Sequence, residues 1–410
     1  MDRRNVETAD ALALRPRVAD VVVIGGGIIG CAAAAILADR GARVVLVEAS
    51  EIGAGASGRN LGAIQHPFDP ALAPLYHESL TRYRALAAEH GGFNVGREPA
   101  GVLLLNRDAD AAAAQADRIA AAVPALLPQF VGADELANLE PSLVPGLSGV
   151  LLQTGYPIPP ASATGAWADI AETRGVQFLV GSAASPVVEG GRVAGVQLGD
   201  GYAIAADVVL VAAGPWTPML VDPAGDWQPM TATWGVTIQL RLAVPPPRHI
   251  LEEDEVDTIN RAAAATVRAA RVIDYGEPDP PSLFSLASAA GTSTLGSTFL
   301  PLEPDAALLE PLLLHRAAEF LPAVGEAKIL GRRLCARPQS IDGRPFIGRA
   351  PETEGMFVCA GHGPWGISTG PASAAMVARA ILDGTEPTSQ LDARRALPPL
   401  HEQPLPEAQP

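Results

Sequence analysis

Gly25, Gly27 and Gly30 fit G-x-G-x-x-G, and a carboxylate, Glu48, stands 18 residues beyond the last of them. Glycines at this spacing can hold a pyrophosphate. Gly25 makes a tight turn, Gly27 lets the backbone approach the phosphates, and Gly30 lets the following helix pack closely on the preceding strand. Ile28 and Ile29, inside the glycine run, are further cofactor contacts, and the helix that follows has first N–H groups that lack intrahelical acceptors and carry partial positive charge. Glu48, followed by Ala49, can accept from both ribose hydroxyls and would repel a 2′-phosphate, which disfavours NADP. The elements that must position these groups occur in order. Val21–Ile24 is an apolar, β-branched run suited to a buried parallel strand. Residues 31–40 form an Ala-rich helix stopped by Gly41, and residues 44–47 form the second strand. A glycine-rich turn with Glu48 as a solvated strand end would leave that order unexplained.

Three further segments bear on the same ligand. Residues 53–63, GAGASGRNLGA, combine small residues that admit close backbone approach with neutral hydrogen-bonding groups at Ser57 and Asn60. Arg59 adds a phosphate-compatible fork, and Gly58 and Leu61 complete the contact segment; a flexible surface loop is the alternative. Residues 205–216, AADVVLVAAGPW, end an apolar strand on Ala213 and Gly214, followed by Trp216. A strand closing without bulk lets a flat ring or an adenosine pass over its carboxyl end, and ordinary strand–turn packing gives the same pattern. Near the C-terminus, CARPQSIDGRPFIG (335–348) is followed by a strand over 356–360 and then by GHGPWGISTGP (361–371). Gly361, His362, Gly363, Gly366 and Ile367 make a second glycine-rich helix entrance. Such an entrance stabilises a polarised oxygen or anion, which is what a reduced flavin pyrimidine needs.

Composition narrows the classes. The 410 residues suffice for two domains, and no run of 18 apolar residues appears although 48% are apolar. The first ten residues carry five charges and no apolar h-region, so a secretory signal is not expected. Cys31, Cys335 and Cys359 are too scattered for a disulfide framework or a zinc site, and a cytoplasmic setting without metal is expected. A net charge of −16 argues against nucleic acid. Lys328 is the one lysine, which removes lysine from the catalytic groups. Loose termini are expected over 1–17 and 397–410, and a solvated loop over the acidic run 252–257. Helices are expected over 72–90, 108–123, 162–174, 304–321 and 370–383. Strands are expected over 101–105, 176–180, 193–198, 205–213, 283–287 and 293–299.

On VVVIGGGIIG with Glu48, ASGRNLG (56–62), VVLVAAGPW (208–216), ARPQSIDGRPFIG (336–348) and GHGPWGIS (361–368), the chain resembles FAD-dependent oxidoreductases of the D-amino acid oxidase, glycine oxidase and sarcosine oxidase type over about residues 18–385. The resemblance implies an α/β fold. Its Rossmann-type FAD-binding domain (18–96, 155–217 and 336–385) interleaves with an α+β substrate domain (97–154 and 218–335) built on a mainly antiparallel sheet. It implies FAD as cofactor, and hydride transfer from an amine-bearing carbon of an amino acid or secondary amine to flavin N5, giving an imine that hydrolyses. Oxygen, or a quinone or partner protein, would take the electrons.

Residue by residue, Arg337 matches the glycine oxidase arginine that pairs with the substrate carboxylate; pairing with Asp342 is the structural alternative. His362 and Trp365 have the best position to line the substrate pocket. His66 and Trp234 are further candidates, with a core or domain-interface role favoured for Trp234. Two departures bear on mechanism. Thr294 stands nearest the oxygen-activating lysine of monomeric sarcosine oxidases. GHGPWGIS lacks the second arginine expected near glycine oxidase substrates. Cys335, seven residues before Asp342, matches the cysteine that links flavin covalently in those sarcosine oxidases; a small buried cysteine is the alternative. A same-fold dehydrogenase, a non-catalytic flavin-binding subunit and an NAD-dependent dehydrogenase are the competing functions. The last would leave both C-terminal motifs without a purpose.

Overall fold

The computed structural model describes residues 15–254 and 282–396. The tail 397–410, residues 1–14 of the arm and residues 255–257 of the acidic run lie outside the described residues. Val21–Ile24 is buried along its whole length between two parallel neighbours, Val44–Glu48 and Val208–Val211. The six-stranded sheet runs Phe346–Arg349, Met356–Ala360, Val208–Val211, Val21–Ile24, Val44–Glu48, Gln177–Val180, and only Phe346–Arg349 is antiparallel to its neighbour. Helices Ile28–Asp39, Ala73–Glu89, Ser162–Thr173 and Gly366–Asp383 cover one face. A three-stranded antiparallel sheet, Ala184–Glu189, Arg192–Leu198 and Ala203–Ala205, covers the other. Continuous apolar strands are the consequence of being covered on both faces. Ile28–Asp39 is Ala-rich for the same reason: Cys31 and Ala32 to Ala35 are fully enclosed.

The strand expected over 205–213 is two strands in two sheets. Ala203–Ala205 pairs with Arg192–Leu198, whereas Val208–Val211 joins the six-stranded sheet. The pattern changes at exposed Asp207, from half-buried alternation to a fully apolar run. Residues 15–17 are tied down and not loose: Arg15 pairs with Asp200 and lies over the Tyr202 ring, and the Arg17 carbonyl accepts from Ala205 N–H at 3.0 Å.

The last helix begins at Gly366, four residues before its expected start, and so carries Pro371 in its interior. Proline has no N–H for the carbonyl of Ile367. The buried Tyr83 hydroxyl donates to that carbonyl instead, at 2.7 Å, and the Ser79 hydroxyl accepts from Ala372 N–H at 3.0 Å. These two bonds let the glycine-rich entrance continue into one helix.

An eight-stranded sheet runs Lys328–Ser340, Met230–Arg241, Thr292–Thr298, Ser282–Ala289, Ile250–Glu253, Val102–Asn106, Ser148–Leu152, Gln129–Val131. Its single parallel pair is Ile250–Glu253 with Val102–Asn106. Strand alternation sends Leu251, Leu286, Leu295 and Ile238 into a core with helix Ala306–Ala318. Their neighbours Glu252, Ser285 and Thr237 face the other way. The acidic run is therefore no solvated loop at its start: Glu252 and Glu253 are strand residues, Glu253 paired with Arg316 at 2.8 Å and Glu252 only 5% exposed. Among the described residues no helix is long and apolar enough to cross a membrane.

Candidate active site

A cavity of about 690 Å³ runs from the carboxyl ends of the parallel strands to the polar face of the eight-stranded sheet. Gly25, Gly27, Ile28, Ile29, Glu48 and Ala49 line its first part. Gly25 has φ +112°, and a Cβ there would lie 2.5 Å from the Ala212 carbonyl oxygen. Gly30 does not line the cavity; a Cβ on it would collide with the Gly25 carbonyl, so it acts by letting helix and turn touch. Glu48 is fixed by its own loop: Oε2 accepts from Gly26 N–H at 2.7 Å and Oε1 from Ser50 N–H at 2.8 Å. Each oxygen keeps a lone pair for a ribose hydroxyl.

Ser57, Arg59, Asn60 and Leu61 also line the cavity, but their side chains are partly committed. The Ser57 hydroxyl accepts from Ile28 N–H at 2.9 Å, occupying one of the helix-start donors. The Asn60 amide donates to the carbonyls of Ala56, Ser57 and Pro160 and accepts from Gly62 N–H, so it staples the loop. Arg59 lies 3.8 Å from Glu51. Gly58 packs on Gly53 outside the lining. Ala213, Gly214 and Trp216 line the far end, with Trp216 half exposed at the mouth.

His362, Gly363, Trp365, Gly366 and Ile367 line the same cavity as Gly25 and Gly27, so the two glycine-rich entrances meet. Gly361 sits behind them against Phe346 and Met230. His362 is 1% exposed, both ring nitrogens lack a partner among the described residues, and burial pushes its pKa down to about 3. A neutral imidazole so placed leaves its ring nitrogens to a bound ligand or to water.

Arg337 reaches the cavity from strand Lys328–Ser340. Nη1 donates to the Thr298 carbonyl at 3.0 Å and Nη2 to the Ser297 hydroxyl. The guanidinium lies over Gly235, where a Cβ would come within 2.5 Å of it, and 4.7 Å from the Phe299 ring centroid. Burial lowers its pKa from the ordinary value. Asp342 is not its partner: Arg395 holds both Asp342 oxygens, at 2.8 and 2.9 Å. Among the described residues no carboxylate pairs with Arg337.

Cys335 lines the cavity, and burial raises its thiol, opposed by Arg337, Arg333 and Arg59. Thr294 does not reach the cavity; its hydroxyl accepts from Arg333 at 3.1 Å. His66 and Trp234 are also outside the lining. Nδ1 of His66 lies 2.7 Å from the Pro67 carbonyl, and the backbone of Trp234 pairs with Leu300.

The sequence reading missed Gln65, Thr237, Glu252, Ser285, Ser297 and Phe299, all in the lining. Oε1 of Glu252 accepts from Gln65 Nε2 at 2.9 Å, and burial raises the carboxyl to about 7. The available signal was the two-residue period that puts Glu252 on the face of Ile250.

The glycine cradle, the paired helix entrances and the orphaned His362 fit FAD. Glu48 would hold the ribose, residues 25–29 the pyrophosphate, and residues 362–367 the ring.

The chain is similar to a glycine oxidase of Geobacillus kaustophilus, 27% identical over 383 residues, covering 88% of this chain and 92% of that protein. A glycine oxidase of Pseudomonas putida is 29% identical over 396 residues, covering 90% and 95%. The fold superposes on the crystal structure of glycine oxidase from Bacillus cereus with a TM-score of 0.76 at 24% identity, covering 93% of this chain and all of that one. The family described as DAO, FAD dependent oxidoreductase, matches residues 20–380, and the chain belongs to it.

Proposed function

We propose that this FAD-dependent oxidoreductase oxidises the amine-bearing carbon of a small amino acid or secondary amine whose carboxylate is held by Arg337. The observation that carries the reading is a buried guanidinium in the cavity wall with no acidic partner among the described residues. Bound FAD supplies the hydride acceptor. Arg337 grips both carboxylate oxygens and so fixes the direction of the Cα–H bond. Its own orientation is set by the Thr298 carbonyl, the Ser297 hydroxyl and the floor at Gly235. Leu283 and Phe299 keep water from the reacting carbon.

Transfer of electrons to a quinone or partner protein is the second reading, on the resemblance that sets Thr294 nearest the oxygen-activating lysine of sarcosine oxidases. Cys335 holds a buried, neutral thiol, and the flavin is retained without a covalent bond. Three buried free cysteines suit a reducing cytoplasm.

Anaerobic mixing of holoenzyme with a panel of amino acids and N-methyl amino acids tests the reading through bleaching of the flavin band. Arg337→Ala weakens apparent affinity for the bleaching substrate at least about tenfold, since a hydrogen-bonded charge pair is worth about 1.5–3 kcal/mol. Unchanged affinity removes Arg337 from the site. Admitting air separates the acceptors: prompt recovery of colour assigns oxygen, and persistent bleaching assigns another acceptor.

A further inference from the structure

Glu252 stands on the same wall as Arg337 with the opposite charge, and the function proposed above leaves it without a role. Glu252 lies opposite Ser285 across one strand pair, and Ser285 lies opposite Gly296 across the next. Gly296 adjoins Ser297, whose hydroxyl receives Arg337. The Glu252 backbone and the Ser297 backbone that the Arg337 guanidinium reaches are thus two strand spacings apart, about 9–10 Å, and the backbone of Arg337 itself lies two strands further on. Gly296 leaves the floor between them open; a Cβ there would be 3.2 Å from the Ser285 hydroxyl. An α-amino acid with a hydrogen bond of about 2.8 Å at each end spans such a gap.

A purely structural role does not account for the charge. Oε1 takes one bond from neutral Gln65, and Oε2 has no partner among the described residues. A buried carboxylate so poorly compensated is unfavourable, and a glutamine would hold Gln65 equally well. The groups around it are Leu104 on the parallel strand, Ser285 on the antiparallel strand and Gln65 on the segment beyond Ala63–Ile64. The other charged or titratable side chains lining the shared cavity are Glu48, Arg59, Cys335, Arg337, Cys359 and His362, while His66 turns towards Pro67.

We propose that Glu252 receives the substrate nitrogen: Oε2 accepts from the ammonium and takes one N–H proton, leaving a neutral amine. The electron pair of that N–H bond stays on nitrogen, where departure of the Cα hydride to an imine requires it. The substrate class is then a carboxylate with a protonatable amine on the adjacent carbon. The proposal rests on Arg337 holding the carboxylate. Burial raises the Glu252 carboxyl to about 7, so amine preference strengthens as pH rises through that value and Glu252 ionises.

Isosteric pairs test this on holoenzyme: sarcosine against methoxyacetate, and proline against tetrahydrofuran-2-carboxylate, each titrated anaerobically through the flavin spectrum. The wild-type protein prefers the amine of a pair by about tenfold or more above pH 7, and the preference shrinks below it. Glu252→Gln loses both the preference and its pH dependence. Should Glu252→Gln lose its flavin, the pH profile of the wild type and the charge-retaining Glu252→Asp carry the test, with preference retained in part. Amine preference unchanged in Glu252→Gln, or independent of pH in the wild type, overturns the role of Glu252 alone, provided the oxygen analogues still bind and still depend on Arg337. Failure of both members of both pairs to bind, or analogue binding indifferent to Arg337→Ala, overturns the carboxylate reading and this proposal together.

Discussion

The two walls of the cavity are built on different principles. On the wall formed by the strand ends, polar groups are already engaged by nearby backbone: Glu48 by Gly26 and Ser50, Ser57 by Ile28, Asn60 by four groups of its own neighbourhood. On the sheet wall, the ionisable Arg337 and Glu252 have no counter-ion among the described residues. The first arrangement is preorganised to hold one rigid ligand tightly. On the function proposed above, the second arrangement serves a ligand that comes and goes.

Damage to each wall should therefore separate cofactor from substrate. Gly30→Val has the largest expected effect, because its side chain must displace the Gly25 carbonyl; purified protein should lose essentially all bound flavin, read from the absorbance ratio of the visible band to 280 nm. A yellow Gly30→Val protein would break the contrast. Arg337→Ala should keep its flavin while losing substrate affinity at least about tenfold; flavin loss there would show that the walls are not independent. Tyr83→Phe removes the donor to Ile367 and should lower stability by about 1–3 kcal/mol in a denaturant melt of the holoenzyme. Substrate affinity unchanged in that variant keeps Tyr83 in a structural role. The smallest effect is expected at Cys335. Cys335→Ala should retain full flavin content, and acid precipitation of the wild type should leave the flavin in the supernatant; flavin in the pellet would assign a thioether.

The contrast also explains what the sequence disclosed. The βαβ cradle was legible because about thirty consecutive residues determine it: an apolar run, spaced glycines, an Ala-rich helix and a terminal acid. Helix 108–123 was legible because Asp108 caps it, accepting from Asp110 and Ala111. The sheet wall was not, because its floor joins strands 230–241, 250–253, 282–289, 292–298 and 328–340, which are not in sequence order across the sheet, and register decides which side chains meet. Arg337 was singled out by resemblance, whereas its independence from Asp342 depended on Arg395, 53 residues beyond Asp342. Glu252 was hidden by its acidic neighbours, which made a strand end read as a solvated run. Pro371 concealed the true start of the last helix, since nothing local announces that Tyr83 will supply the missing donor.

That last helix sets an order of events during biosynthesis. Gly370 approaches Ile28 so closely that a Cβ on it would lie 3.2 Å away, and the groups facing Gly25 across the cavity belong to residues 362–367. A nascent chain that has released only its first half from the ribosome presents a nucleotide cradle with one side missing. Enclosure of the cofactor then awaits synthesis of residues 362–367, which supply the other side of the cradle.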